Sequence, residues 1–358
     1  MRFVTRVAGP VRFLRKTDAA DIAYGLDSRL CARVFVRVLN NDQAMKQQPT
    51  RPFPATRSAL GALLTAVAIA ASGPAHAQDI SGKLRATGGV STVEGSGGGG
   101  LATWALITGY GTENQIGANV HLTGVKTRDY ALTTGGVAVG LYDRVELSYA
   151  RQDFNTKAVL TAISPALRDY KLKQDVFGAK VRVIGDAIYD QDRWLPQIAV
   201  GVQVKDNKDD TVIPFLNGAL GSNIRNRGTD FYVAATKLYL DKSLLVNGTV
   251  RFTKGNQFGL VGFEGPDGKR YRPEFEGSVA YLFRRDLVGG VEVRTKRGNL
   301  SNAALNLSEG TAWDVFVAYF PSKNVSVTAA YVDLGQIVGA LTNSRRQTGA
   351  YLSLQVGF

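Results

Sequence analysis

The most constraining feature of this chain is an alternation of apolar and polar residues with a period of two. In 144–154 (RVELSYARQDF), Val145 and Leu147 alternate with Glu146 and Ser148. A period of two with charges on one face predicts strands that lie between an apolar and a wet phase. No stretch after residue 83 offers a convincing helical period, so the fold class is all-β. The same pattern recurs in 175–185, 196–205, 244–253, 274–283, 288–296 and 313–320.

The connections between these segments alternate between short and long. The short ones lie close to an aromatic residue, and the long ones are polar: 155–172, 206–228, 255–272, 297–310 and 335–346. Tight turns on one side and long loops on the other are typical of bacterial outer-membrane barrels, with the turns periplasmic and the loops extracellular. A soluble sandwich, the alternative, has no reason for such regular alternation. The sequence therefore predicts a monomeric, transmembrane, antiparallel up-and-down β-barrel.

The number of strands is predicted to be about fourteen, because closure of an antiparallel barrel requires an even number. Twelve is the alternative, if the glycine-rich first pair is not part of the wall. The predicted spans are 83–93, 101–110, 115–125, 130–141, 144–154, 173–184, 195–205, 229–240, 243–254, 273–283, 286–296, 311–320, 324–334 and 347–358.

The N-terminal part of the chain has the pattern of a targeting segment. The apolar run 59–71 is too short to span a bilayer, follows three basic residues and precedes the small-x-small site Ala75–Ala77. We expect residues 45–77 to be a signal peptide removed by a secretion signal peptidase, and residues 78–358 to form the barrel. Translation is expected to start at Met45, which makes residues 1–44 a mis-annotated N-terminal extension.

Removal of the first 77 residues lowers the net charge considerably. The whole chain carries +13, whereas residues 78–358 hold 32 basic and 26 acidic residues, or +6. A nucleic-acid partner is therefore not expected for this exported chain. The single cysteine, Cys31, excludes an internal disulfide framework or a cysteine-based zinc site, and no cofactor or metal is expected.

The last segment, 349–358 (GAYLSLQVGF), alternates up to its final residue. This ending resembles the carboxy-terminal signature of outer-membrane proteins, which implies that Phe358 is an assembly signal for the barrel-assembly machinery. The motifs at 87–111, 137–154, 186–203 and 312–335 further resemble an uncharacterised bacterial family of exported or outer-membrane proteins, known as a domain of unknown function. That resemblance implies no activity and no catalytic residues.

Ten polar side chains are predicted to face the lumen. Their charges alternate between neighbouring strands, which favours an internal ion-pair ladder, and a permeation path whose charges select solutes is the functional alternative. The ten are Glu146, Lys180, Arg182, Lys237, Arg251, Glu276, Glu292, Arg294, Asp314 and His121.

Three segments could carry other chemistry. The glycine-rich run 94–100 (EGSGGGG) lacks the Gly-Lys-Ser/Thr ending of a phosphate loop, and is either an outer turn or a segment packed inside the lumen. The acidic run 186–194 lacks the glycine and glutamate of a calcium loop, which favours a periplasmic turn. His121 could serve a lipid-active enzyme only beside a serine, so lumen hydrogen bonding is the favoured role.

The sequence thus favours a passive channel for small polar solutes, without enzymatic activity. A structural or surface-interaction barrel with a closed lumen is the alternative, and a lipid-active outer-membrane enzyme is less favoured. The expected partners are outer-membrane lipid and lipopolysaccharide, whose phosphates suit the basic residues of the long loops. Those residues include Lys126, Arg128, Arg168, Lys171, Arg225, Arg227, Lys269, Arg270, Arg272, Lys296, Arg297, Arg345 and Arg346.

Overall fold

Twelve antiparallel strands pair in chain order and close into a barrel. The computed structural model describes residues 82–88, 90–300 and 309–358. The first strand, β1, pairs with the last, β12, so the sheet has no free edge. The strands are β1 (Ile116–Thr127), β2 (Ala131–Leu141), β3 (Val145–Asn155), β4 (Lys171–Ile184), β5 (Gln197–Asn207), β6 (Arg227–Tyr239), β7 (Leu244–Thr253), β8 (Arg272–Arg284), β9 (Leu287–Arg294), β10 (Ala312–Tyr319), β11 (Val325–Gln336) and β12 (Arg346–Gly357).

The predicted count of fourteen strands is wrong, and the alternative of twelve is confirmed. The two spans in error are 83–93 and 101–110, which lie inside the lumen and do not pair with the wall strands. Their extended, alternating sequence resembles that of a strand, but wall side chains bind much of their backbone. The other twelve predicted spans each match an observed strand to within a few residues.

The connections divide the barrel into a loop side and a turn side. The loop side carries 128–130, 156–170, 208–226, 254–271, 337–345 and the described parts 295–300 and 309–311 of the connection between β9 and β10. The turn side carries 142–144, 240–243, 285–286, 320–324 and one longer connection, 185–196. Short helices occur only in the loop-side connections that the structure describes: α1 (Val212–Leu220) and the 3-10 turns Val159–Ala162, Pro165–Leu167, Gln257–Gly259 and Gly339–Leu341.

None of the helices among the described residues has the length and apolarity needed to cross a membrane. The predicted signal peptide and the extension before it lie outside the described residues, so both stay predictions. The strands of the barrel lie within residues 116–357, and the segment that lies inside the lumen precedes them in the sequence.

The strands turn their apolar face outward and their polar face inward. Outward side chains such as Leu147, Val200 and Val315 are exposed, whereas polar side chains such as Gln203 and Thr236 are buried. This is the reverse of a soluble protein, whose apolar side chains form the interior. The outward face is the one that lipid would cover.

Val233 tests the lipid-facing assignment because it is the central residue of the 13-residue strand β6 and is 45% exposed. An arginine at the bilayer midplane of a barrel costs roughly 2–4 kcal/mol, against about 0–1 kcal/mol near an interface. We expect Val233→Arg to lower the free energy of unfolding in lipid vesicles by the larger amount. The control is Leu240→Arg in the turn 240–243, which is 41% exposed. Equal losses in a urea titration of the two variants would contradict the assignment.

Candidate functional site: the filled lumen

The segment before β1 folds into the barrel as a hairpin, which we call the lumen hairpin (residues 82–88 and 90–111). Both of its ends lie on the turn side, where the N–H of Lys83 donates to Tyr110 O and the N–H of Tyr110 donates to Phe358 O. Its tip reaches toward the loop side, where the carbonyl of Val93 accepts from Gln152 of β3 at 2.8 Å. The hairpin therefore enters and leaves through the same end of the barrel.

The glycine-rich run 94–100 lies at the turn of the lumen hairpin, which selects the second of the two interpretations left open by the sequence. The glycines of the run are packed too closely to carry side chains. A Cβ atom at Gly99 would lie 1.8 Å from Glu292 Oε1, and one at Gly97 would lie 2.8 Å from Glu146 Oε2. The wall also has a glycine where the hairpin approaches it closely. A Cβ atom at Gly140 of β2 would lie 2.2 Å from Thr108 O.

Wall side chains form hydrogen bonds with many of the backbone N–H and C=O groups of the lumen hairpin. The N–H of Leu101 donates to Glu292 at 2.8 Å and that of Thr103 donates to Glu276 at 2.7 Å. Further along, the N–H of Ala105 donates to Thr236 Oγ1 at 2.7 Å. These contacts supply the partners that a buried extended chain would otherwise find in a neighbouring strand.

Glu94, at the tip of the hairpin, is held by cations from three wall strands. Its carboxylate lies 2.5 Å from Lys205 Nζ, 3.0 Å from Arg294 Nη1 and 3.7 Å from Arg251 Nη2. All four side chains are buried. Burial alone would raise the pKa of Glu94, but Arg294, Lys205 and Arg251 together hold that pKa below its ordinary value. Glu94 is therefore an anion in this position.

Two wall carboxylates complete this group. Asp230 lies 2.8 Å from Lys205, and Glu276 lies 2.5 Å from Arg251 and 3.4 Å from Arg294. We call the six residues the central ion cluster; it has three positive and three negative side chains. Such balance matters because a buried charge without a partner is strongly destabilising. The hairpin contributes one of the three anions.

Two further contacts fix the hairpin nearer the turn side. Glu146 and Lys180 lie 2.9 Å apart on β3 and β4, and both bind hairpin backbone. Glu146 accepts from the N–H of Gly97, and Lys180 donates to the carbonyl of Leu106 at 2.6 Å. At the barrel end, Lys83 lies 2.6 Å from Asp143 in the first tight turn.

The connection 254–271 enters the lumen from the opposite side. Its residue Phe258 lies with its ring 4.2 Å from the guanidinium carbon of Arg294, and its carbonyl accepts from Lys205 at 3.2 Å. Phe258 and the neighbouring Gln257 both have positive φ angles, which L-residues rarely adopt. The hairpin and this connection thus meet at the central ion cluster, and the lumen is filled from both ends.

The structure places all ten predicted lumen residues in buried positions. Glu146, Lys180, Arg251, Glu276, Glu292 and Arg294 contact the lumen hairpin. Arg182 binds Asp143 at 2.8 Å, and Lys237 donates to carbonyls of the connection 185–196. The ladder from Arg251 to Glu276 and Arg294 is present, but Asp314 pairs in register with another acid, Glu292.

His121 does not have the surroundings of a catalytic base. It is buried on β1, and neither ring nitrogen has a hydrogen-bond partner among the described residues. Its ring lies against the backbone of β2, where a Cβ atom at Gly136 would come within 2.5 Å of Cε1. No serine in the part of the chain that the structure describes is hydrogen-bonded to it.

The acidic run 186–194 forms the longer turn-side connection. Asp186 accepts from the N–H groups of Ile188 and Tyr189, and its other oxygen lies 3.2 Å from Arg182. In the described part of the chain, no three or more of the His, Cys, Asp and Glu side chains are grouped as metal ligands. The run therefore serves local structure through Asp186.

The prediction of site residues missed Glu94, which links the hairpin to the central ion cluster. A signal for it exists in the sequence, because Glu94 is the only charged residue between Ala86 and Thr112. If a stretch of small and apolar residues is buried, its single acidic side chain is buried too and needs cations nearby to balance its charge. The partner Asp230 carries no comparable signal, since it lies at a strand start among other charges.

Comparisons with known proteins agree with the resemblance of the motifs. A family model described as a protein of unknown function, DUF3034, matches residues 87–355. The chain belongs to the DUF3034 family. No curated protein matches this member of the family.

Several solved structures are similar to this family member at low sequence identity. A KdgM porin is 13% identical with a TM-score of 0.41, and the match covers 67% of this chain and 99% of the porin. A NanC porin is 11% identical with a TM-score of 0.42, covering 67% and 98%. The COG4313 outer membrane channel from Pseudomonas putida F1 is 11% identical with a TM-score of 0.42, covering 68% and 94%.

Glu94→Gln tests how the central ion cluster holds the hairpin. The change leaves three buried cations with one anion fewer, and breaking a buried pair costs roughly 3–5 kcal/mol. Hydrogen exchange of the amides of Gly97, Leu101 and Thr103 should become about a hundredfold faster, which corresponds to the lower end of that range. The matched control is Glu113→Gln, which lies in the linker between the hairpin and β1 and is 83% exposed. Unchanged exchange in Glu94→Gln would show that other contacts hold the hairpin.

Proposed function

We propose that the protein is an outer-membrane channel for small polar solutes whose resting state is closed by the lumen hairpin. The observation that carries this proposal is the way the hairpin is held. Many of its contacts with the wall run through side chains, such as Glu292, Glu276 and Lys180, and the wall strands pair completely with one another. The hairpin can therefore leave the lumen without opening the barrel.

A wall freed of the hairpin is suited to polar solutes. It would present Lys205, Arg251 and Arg294 beside Asp230 and Glu276 on the neighbouring strands β5 to β9, together with buried hydroxyl and amide side chains. A barrel of about eight strands is filled by wall side chains, and one of sixteen to eighteen strands leaves an aqueous channel. Twelve strands support a pore of intermediate width.

The two inserts that close the lumen are coupled. Lys205 and Arg294 bind both Glu94 of the hairpin and Phe258 of the connection 254–271. Withdrawal of Glu94 therefore removes an anion from the cations that also hold Phe258. We infer that the two inserts move together, because they share these two cations.

One observation favours the alternative of a permanently closed, structural barrel. The hairpin contributes Ala102, Trp104 and Leu106 to an apolar cluster with wall side chains that include Phe316 and Leu245. Exposure of a large buried apolar side chain costs roughly 1.5–3 kcal/mol. Opening must overcome this cost as well as that of breaking the polar contacts.

The location belongs to the same proposal. The outward apolar face and the alternation of connections support a barrel in the outer membrane, with the turn side periplasmic and the loop side extracellular. Export through the predicted signal peptide, and assembly that depends on Phe358, complete this route.

Gly140→Val tests the proposed channel. The new side chain points at the hairpin backbone, where even a Cβ atom would lie 2.2 Å from Thr108 O, so the hairpin must move. In planar bilayers, we expect single channels of this variant to open more often than those of the wild type. The control is Gly248→Val, since no atom lies within 4 Å of a Cβ atom at that position.

A second variant distinguishes a barrel that stays closed because its hairpin does not leave from a barrel that cannot conduct at all. Deletion of residues 90–108 removes most of the lumen hairpin and keeps the connection to β1. Conductance in this variant supports the channel. If both Gly140→Val and the deletion variant are folded in the membrane but show no conductance, the structural alternative is favoured.

A further inference from the structure

A groove with a volume of about 590 Å³ lies on the loop side, between the connections 208–226 and 254–271. Three basic side chains, Arg225, Arg227 and Lys254, line it together with Tyr271. Arg225 and Arg227 are 61% and 71% exposed, so their guanidinium groups reach solvent. The groove lies outside the lumen, at the rim of the barrel.

The cations of this groove are only partly neutralised. Arg225 lies 3.4 Å from Glu264, Lys254 lies 3.1 Å from the same carboxylate, and Arg227 binds Asp206 at 2.8 Å. Three cations thus face two carboxylates. Each guanidinium has five N–H donors, and the described contacts of Arg225 and Arg227 use a minority of them. The remaining donors suit a phosphate, which accepts paired hydrogen bonds from arginine.

An apolar surface continues from the groove down the outside of the barrel. The ring of Tyr271 lies 5.7 Å from that of Phe231 in an edge-to-face arrangement. Phe231 in turn lines a second, apolar groove on the lipid-facing wall, together with Phe252 and Val233. The basic groove therefore lies directly above an apolar furrow of about 500 Å³ on the outer wall.

We propose that this surface binds the phosphorylated lipid A part of lipopolysaccharide, with a phosphate at Arg225 and Arg227 and an acyl chain along Phe231 and Phe252. The inference rests on the proposed orientation, because only an extracellular loop side would face that leaflet. Charge complementarity selects the ligand: a phosphate supplies the anion that the groove lacks, and acyl chains match the apolar wall below it. A phospholipid with one phosphate, such as phosphatidylglycerol, offers fewer acceptors for three cations.

The experiment is a titration of the full chain, purified in detergent, by native mass spectrometry. The probes are lipid A with two phosphates, monophosphoryl lipid A and phosphatidylglycerol. The double variant Arg225→Gln with Arg227→Gln should bind bisphosphorylated lipid A about tenfold more weakly, or worse, as expected for the loss of charge-assisted hydrogen bonds. The matched control, Arg284→Gln with Arg285→Gln, removes the same number of arginines from the turn side and should keep wild-type affinity.

Each result decides the inference. Selective weakening in the first double variant, with the order bisphosphorylated lipid A, monophosphoryl lipid A and then phosphatidylglycerol in the wild type, supports it. Equal weakening in both double variants, equal affinity for phosphatidylglycerol, or no binding of any probe would overturn it. The measurement needs neither conductance nor a membrane, so a failure here is distinct from a failure of the proposed channel.

Discussion

The pairing of β1 with β12 is the interaction on which the rest of the structure depends. A bilayer offers no hydrogen-bond partner to a strand edge, so a sheet in lipid must close on itself. Closure fixes which face of each strand meets lipid and which meets the lumen. The outward apolar residues and the buried polar ones then follow from the period of two in each strand.

Closure at twelve strands leaves an interior that wall side chains alone do not fill. The chain solves this with two inserts from opposite ends: the lumen hairpin and the connection 254–271. Their meeting point is electrostatic, because Glu94 supplies the anion that balances Lys205, Arg251 and Arg294. The same residues that would line an open path therefore hold it closed.

The sequence was sufficient to predict the wall of the barrel. Each wall strand has one apolar outward face and one polar inward face, which imposes a pattern that a single sequence displays. The same pattern does not distinguish the lumen hairpin from a wall strand. Its extended residues, such as 101–110, alternate like a strand, and only the three-dimensional structure shows that Glu276 and Glu292 bind their N–H groups.

The candidate site was predictable in part for a similar reason. Charges such as Arg251 and Glu276 could be predicted because they recur on the polar face of strands whose other face is apolar. Glu94 lies outside the wall strands and Asp230 lies near the start of β6, and the ion pair between Glu94 and Lys205 joins residues more than a hundred positions apart in sequence. Contacts over such separations depend on strand register, which no local pattern specifies.

The position of the hairpin ends has a consequence for reversibility. Both ends emerge at the turn side, and residues 112–115 join the hairpin directly to β1. In the proposed channel, a displaced hairpin would therefore stay attached at the end of the barrel that it left, at the high effective concentration that a short tether provides. Reclosure would then be a first-order process that is independent of protein concentration, because each barrel carries its own closing segment.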